Sequence, residues 1–341
     1  MPTARLPLPT LLVLIALVAA PSLAQEVPGP AAYNQPLSPS LEGWPAPYPV
    51  KFLPLTVEGQ DVRMAYMDVA PNGNANGRAV VLLHGKNFWG DYWQGTADAL
   101  AARGYRVVIP DQIGFGRSSK PDINYSFDVL AAATARLMDE LKIDRAAVVG
   151  HSMGGMLAVR FARNHPDRTT QLVLANPIGL EDYRFAIPFR RTQQTYEGEL
   201  ANTDPAKIRA FLRRYVVEWD PGKYEKFVEA RSRVALSGEY PRFAKASALT
   251  YQMIYQQPVR HEFKLIETPT LLVIGQEDRT TLGRGFVSED VLRNLGDYPR
   301  LGREAARDIA GAKLVELENV GHLPMLEAPE KFHAALLEFL R

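Results

Sequence analysis

With 341 residues the chain has room for about two average domains of roughly 150 residues, or one large domain with an insertion. Its 46% apolar and 23% charged residues exclude a mainly disordered, collagenous or coiled-coil protein. Its 39 Lys+Arg against 38 Asp+Glu argue against nucleic acid as a partner, and the absence of cysteine excludes disulfides, thiolate metal sites and a cysteine nucleophile.

The chain opens with the features of an export signal: Arg5, the apolar stretch Leu11 to Ala20, then Ser22-Leu23-Ala24 with small residues where a signal peptidase reads. The apolar run is too short for a membrane span of roughly 18 to 20 residues, so cleavage after Ala24 is expected rather than a stable anchor. That leaves 38 charges of each sign in a periplasmic or extracellular protein, residues 1–24 being a signal peptide. N-terminal sequencing of exported protein should start at or near Gln25, and an intact N-terminus in an export-competent host would overturn the expectation. Eight prolines between positions 28 and 54 then favour an extended lead-in, over about 25–50.

Beyond it, β-rich runs at Phe52 to Val57 and Val62 to Val69 flank Glu58-Gly59-Gln60 as a hairpin. Six continuous apolar runs follow: Ala79 to Leu83, Arg106 to Pro110, Ala146 to Gly150, Gln171 to Ala175, Thr270 to Gly275 and Lys313 to Leu317. Runs of this length and character are expected of strands buried on both faces of a parallel sheet. Helical patterns at Trp93 to Arg103, Phe127 to Leu141, Met153 to Asn164 and Glu330 to Leu340 alternate with them, giving an α/β fold with a mostly parallel, doubly wound sheet. About 95 residues separate Ala175 from Thr270, too many for a structureless loop. Helical patterns at Pro205 to Trp219, Tyr224 to Leu236 and Phe243 to Tyr255 mark a helical cap over 178–264, inserted between core segments 51–177 and 265–341.

Gly150-His151-Ser152-Met153-Gly154 carries the strongest chemical signal: a G-x-S-x-G directly after a strand and before a helix. A nucleophile at a sharp strand-to-helix turn needs neighbours without bulk, and backbone N–H groups at the helix start then face the reacting carbonyl. Asp278 and His322 follow the last two strands, in the nucleophile, acid, base order of this architecture. His322 would take the Ser152 proton while Asp278 fixes the imidazole tautomer. Glu277 is a competing acid, read as an ordinary solvated neighbour.

With these residues the chain resembles the α/β-hydrolase fold family, lidded serine-hydrolase type, over residues 50 to 341. Further carriers are His84-Gly85-Lys86-Asn87-Phe88, the stretch from Asp111 to Ser118, and Gly321-His322 followed by Glu327-Ala328-Pro329. The resemblance implies an oxyanion hole from the backbone N–H groups of Met153 and Lys86. It assigns His84 and His151 to loop bracing. The Lys86 ammonium either lies near the oxyanion or a substrate carboxylate, or bends away to Asp91 or Asp111; the second is preferred. A serine at the elbow, where relatives acting at sp³ carbon carry aspartate, points to acyl transfer. The expected activity is hydrolysis of a carboxylic ester or lactone, with no cofactor and no metal. Amide, C–C bond and perhydrolase chemistry, or a binding protein that retains a hydrolase site, are the alternatives. The segment 181 to 260 holds 13 of 32 aromatics and 14 Lys+Arg against 10 Asp+Glu, which suits a small to medium, largely apolar substrate and weakly admits an anionic one.

Overall fold

A computed structural model describes Met1 and residues 33–341. The signal sequence expected over residues 1–24, apart from Met1, and the first part of the lead-in lie outside the described residues.

The chain builds one eight-stranded sheet in the order β1-β2-β4-β3-β5-β6-β7-β8. Strands β1 (Val50–Val57) and β2 (Gln60–Val69) pair antiparallel with Val57 opposite Gln60, so only Glu58 and Gly59 turn the chain. Both have positive φ, 47° and 75°, as a two-residue turn matched to the strand twist requires. Strand β2 also runs antiparallel to β4 (Arg106–Pro110), and from there all neighbours are parallel: β3 (Ala79–Leu83), β5 (Ala146–His151), β6 (Thr169–Ala175), β7 (Thr270–Gly275) and β8 (Lys313–Leu317).

The sheet divides the core in two. Val81 and Leu83 of β3 face α2 (Phe127–Glu140) and α3 (Met153–Asn164), while Val80 and Leu82 face α1 (Gln94–Ala101) and the C-terminal helices. All six residues of β5 and of β7 are buried, as apolar runs covered by helices on both faces should be. Strand β8 departs from that expectation: it is the sheet edge, and Lys313 and Glu316 are exposed. Its exposed charged residues are those of an edge strand.

Between β6 and β7 the chain leaves the sheet for four helices, α4 (Thr192–Leu200), α5 (Pro205–Arg213), α6 (Pro221–Ala235) and α7 (Tyr240–Gln256). Helix α4 packs on α7, and α5 on α6. Asp204 and Asp220 cap α5 and α6 by accepting from Ala206 N and Gly222 N, each followed by a proline at the first helical position. The helical pattern expected to run to Trp219 stops at Arg213, and Tyr215 lies in the following turn. After β7 come α8 (Glu289–Leu292) and α9 (Tyr298–Asp308); after β8, α10 (Pro324–Glu327) and α11 (Pro329–Phe339) close the chain. Among the described residues no helix is long and apolar enough to cross a membrane.

Candidate active site

Ser152 sits between β5 and α3 with φ 55° and ψ −123°, a backbone state that costs a non-glycine residue about 1–3 kcal/mol and persists only where its surroundings enforce it. The surroundings are glycines. A Cβ on Gly150 would lie 2.1 Å from the Gly154 carbonyl oxygen, and one on Gly154 would lie 2.2 Å from that of Leu83. A Cβ on Gly155 would likewise clash, 2.5 Å from that of Pro177. Crowding of this kind fixes the turn and leaves the hydroxyl projecting from the carboxyl ends of the parallel strands.

Two other loops at the same edge meet it. His322 Nε2 lies 2.9 Å from Ser152 Oγ, and His322 Nδ1 lies 2.6 Å from Asp278 Oδ2. The three residues are 7%, 2% and 1% exposed for Ser152, Asp278 and His322, so bulk water hardly competes for these bonds. Asp278 accepts twice more, from Asn176 Nδ2 at 2.8 Å and from Thr280 N at 2.8 Å. A carboxylate that accepts from three donors is fixed in orientation. With Asp278 accepting from Nδ1–H, the Nε2 of neutral His322 is left to accept from the serine. Glu277, the competing acid, is exposed, and its N–H extends the β7–β8 pairing by donating to Val320 O.

His151 and His84 serve as braces. Gly85 N donates to Tyr92 Oη at 2.9 Å, Tyr92 Oη reaches His151 Nδ1 at 2.9 Å, and His151 Nε2 reaches the His322 carbonyl at 2.7 Å. The tautomer that satisfies every member has Tyr92 donating to Nδ1 and Nε2–H donating to the carbonyl, which requires neutral His151. Burial, reinforced by the neighbouring His322, holds the His151 pKa well below the usual imidazole range and keeps it so. One line of bonds thereby ties the His-Gly loop to the histidine loop. His84 Nε2 accepts from Gln112 N at 2.9 Å, joining the loops after β3 and β4.

Lys86 and Met153 both border the serine. Met153 is the first residue of α3, where N–H groups have no acceptor within the helix. The Lys86 side chain does not turn to Asp91 or Asp111, contrary to the preferred expectation. Those carboxylates are engaged by Arg117, whose guanidinium meets Asp91 at 2.7 Å and whose N–H meets Asp111 at 2.8 Å. The Lys86 ammonium crosses to α7 instead, donating to the Ser247 carbonyl at 2.7 Å, Ser247 Oγ at 3.1 Å and Thr250 Oγ1 at 2.9 Å. Burial lowers its pKa to about 8, opposed by Glu199 and assisted by Arg231. Glu199 itself accepts from Ser247 Oγ at 2.8 Å and pairs with Arg231.

The helical insertion also supports the histidine loop. Tyr215 O accepts the His322 N–H at 2.6 Å, and its ring lies 4.9 Å from the imidazole. Gly321 permits this approach, since a Cβ there would stand 2.6 Å from Tyr215 O. Glu327 binds both sides of the junction, accepting from Val217 N, Gly321 N and Leu323 N. Asn176 has a matching double role: besides holding Asp278, its Oδ1 accepts from Gly275 N at 3.0 Å, and φ of 38° aims it. A polar residue after the apolar run Leu172 to Ala175 was the only trace of Asn176 in the sequence; the contact of Tyr215 with His322 left none.

Ser152 opens into a cavity of about 390 Å³ walled by α4 to α7, the His-Gly loop and the stretch from Thr280 to Phe286. Of the long segment after Asp278, whose place the sequence leaves open, it is these residues that reach the cavity. Among the described residues no cluster of three or more His, Cys, Asp or Glu is arranged to hold a metal ion.

The chain is 43% identical to a probable hydrolytic enzyme from Pseudomonas aeruginosa PAO1 of known structure, over 91% of this chain and 99% of that one, with a TM-score of 0.88. It is 29% identical to a 2-hydroxy-6-oxononadienedioate/2-hydroxy-6-oxononatrienedioate hydrolase of Burkholderia vietnamiensis, over 85% of this chain and 95% of the relative. It is also 29% identical to Lipase 1 of Psychrobacter immobilis, over 80% and 79%. The sequence model of the alpha/beta hydrolase fold matches residues 78–329, which span strands β3 to β8, the elbow serine and the histidine loop. By sheet order, by these relatives and by that match, the chain belongs to the α/β-hydrolase fold family of enzymes.

Proposed function

We propose that the protein is a serine hydrolase that cleaves a carboxylic ester or lactone through an acyl-enzyme. The observation that carries this reading is the unbroken line from Ser152 Oγ through the His322 ring to Asp278. His322 Nε2 takes the hydroxyl proton as Oγ bonds to the substrate carbonyl carbon, and the Asp278 carboxylate stabilises the imidazolium formed. The Met153 and Lys86 N–H groups receive the developing oxyanion. Collapse breaks the carbon–oxygen bond to the alcohol, which leaves with the proton from His322. A water then gives its proton to His322, its oxygen bonds to the acyl carbon, and Ser152 departs with that proton. Similarity to a lipase supports ester cleavage, and similarity to a 2-hydroxy-6-oxononadienedioate/2-hydroxy-6-oxononatrienedioate hydrolase supports hydrolysis in the same scaffold.

A fluorophosphonate, which reacts only with an activated hydroxyl, should label the protein once per chain at Ser152 in peptide mass spectrometry and stop turnover of short-chain esters and lactones. Labelling elsewhere with Ser152 unmodified would sink the mechanism. Stoichiometric binding without multiple turnover of any activated ester would make the protein a binder instead.

A further inference from the structure

The cavity that opens at Ser152 is unbalanced in charge and in hydrogen bonding. Lys86, Arg190, Arg214, Arg231 and Arg284 border it, against the single acid Glu199. Glu199 is consumed by Arg231 and Ser247, and Lys86 is tied to α7. The excess positive charge therefore falls to the arginines on the other walls.

Besides Arg231 Nε on α6, three buried donors of residues on those walls lack a partner within the protein: Arg190 Nε, Tyr251 Oη and Thr280 Oγ1. A buried donor without an acceptor costs about 1–3 kcal/mol, and the three residues that carry these donors border one space together with the nucleophile. Arg190 is not loose. Its carbonyl accepts from Gln252 Nε2 at 2.7 Å, and its guanidinium stacks over Phe286 with the carbon 3.7 Å from the ring centre. Phe286 in turn meets Tyr251 edge to face, at 6.4 Å between ring centres. Ile187 closes against Gly283, which joins the segment before α4 to the Thr280–Phe286 stretch. A planar guanidinium held on an aromatic ring, beside a phenol, matches the two oxygens and the charge of a carboxylate.

We propose that Arg190 and Tyr251, with Thr280 nearer the triad, form a subsite for a carboxylate, so that the preferred substrate is an ester or lactone bearing a free carboxylate away from the bond cleaved. The proposal rests on the hydrolase reading for its chemistry, and on the cavity alone for its ligand. Arg190 and Tyr251 are specificity residues in it, remote from the bond that breaks.

The first experiment compares p-nitrophenyl half-esters of four- to eight-carbon diacids with their methyl-capped forms, and acetate esters of ω-hydroxy acids with theirs. The anionic member of at least one series should be preferred at least tenfold in kcat/KM. Arg190→Met should remove that preference while lowering the rate on the capped ester no more than threefold, and Tyr251→Phe should lose part of it. Arg293→Met, an exposed arginine outside the cavity, controls for net charge and should preserve the preference. No preference in either series, or equal loss on both members in Arg190→Met, overturns the subsite. The second experiment needs no turnover: calorimetry on Ser152→Ala protein should show monomethyl adipate binding at least tenfold tighter than dimethyl adipate, with the difference lost in Ser152→Ala/Arg190→Met. Equal binding overturns the subsite even if esters are hydrolysed. A difference in binding without hydrolysis of any ester upholds the subsite and fails the hydrolase reading.

Discussion

Ser152→Ala and His322→Ala should each lower kcat/KM for an ester by a factor of about 10⁵ to 10⁶, and the double variant should lose no more than either alone. The reason is geometric. In the proposed mechanism the serine hydroxyl is a nucleophile only while His322 Nε2, 2.9 Å away, takes its proton, so removing either partner removes the same event. What survives is the contribution of the N–H groups of Met153 and Lys86 and of the cavity walls, which neither substitution touches. Kinetics of the two single variants and the double one, with melting temperatures as a folding control, decide the point. Losses that multiply would mean that the two side chains act independently, and the acyl-enzyme route would fail.

Asp278→Asn should cost a factor of about 10³ to 10⁴ in kcat/KM, while Glu277→Gln stays near the parent. Asp278 accepts from His322 Nδ1, Asn176 Nδ2 and Thr280 N, and an asparagine offers only one oxygen to these three donors. Its NH₂ must then face a donor, and the relief available is for His322 to carry its proton on Nε2, where it can no longer accept from Ser152. A larger loss in Glu277→Gln than in Asp278→Asn would move the acid to Glu277.

The parts of this protein that a reader of the sequence can recover are those whose cause is local. Strands β3, β4, β5 and β7 announce themselves because a strand covered by helices on both faces must be apolar throughout. The elbow is equally legible, since the close approaches at Gly150 and Gly154 tolerate no side chain. Helix α4 gives no such signal: Thr192–Leu200 buries none of its residues fully and has no apolar stripe. Long-range partners leave no trace either. Nothing near Lys86 in the sequence points to Ser247 or Thr250 on α7, whereas Asp91 and Asp111 are close by and of opposite charge, which made them the natural but mistaken choice. The members of the proposed triad were readable because each follows the carboxyl end of a strand; their props, Asn176 and Tyr215, were not, because their contacts form only when distant loops converge.

Tyr215 stands in the helical insertion, yet its carbonyl fastens the backbone of His322. The segment that walls the cavity is therefore also a strut of the proposed proton-transfer apparatus, and Lys86 anchors the same segment to the loop proposed to receive the oxyanion. Such a lid is not an interchangeable part. Transplanting another in its place would alter which molecules enter and, in the same operation, unfasten the base that acts on them, so selectivity and catalytic competence in this chain have to change together.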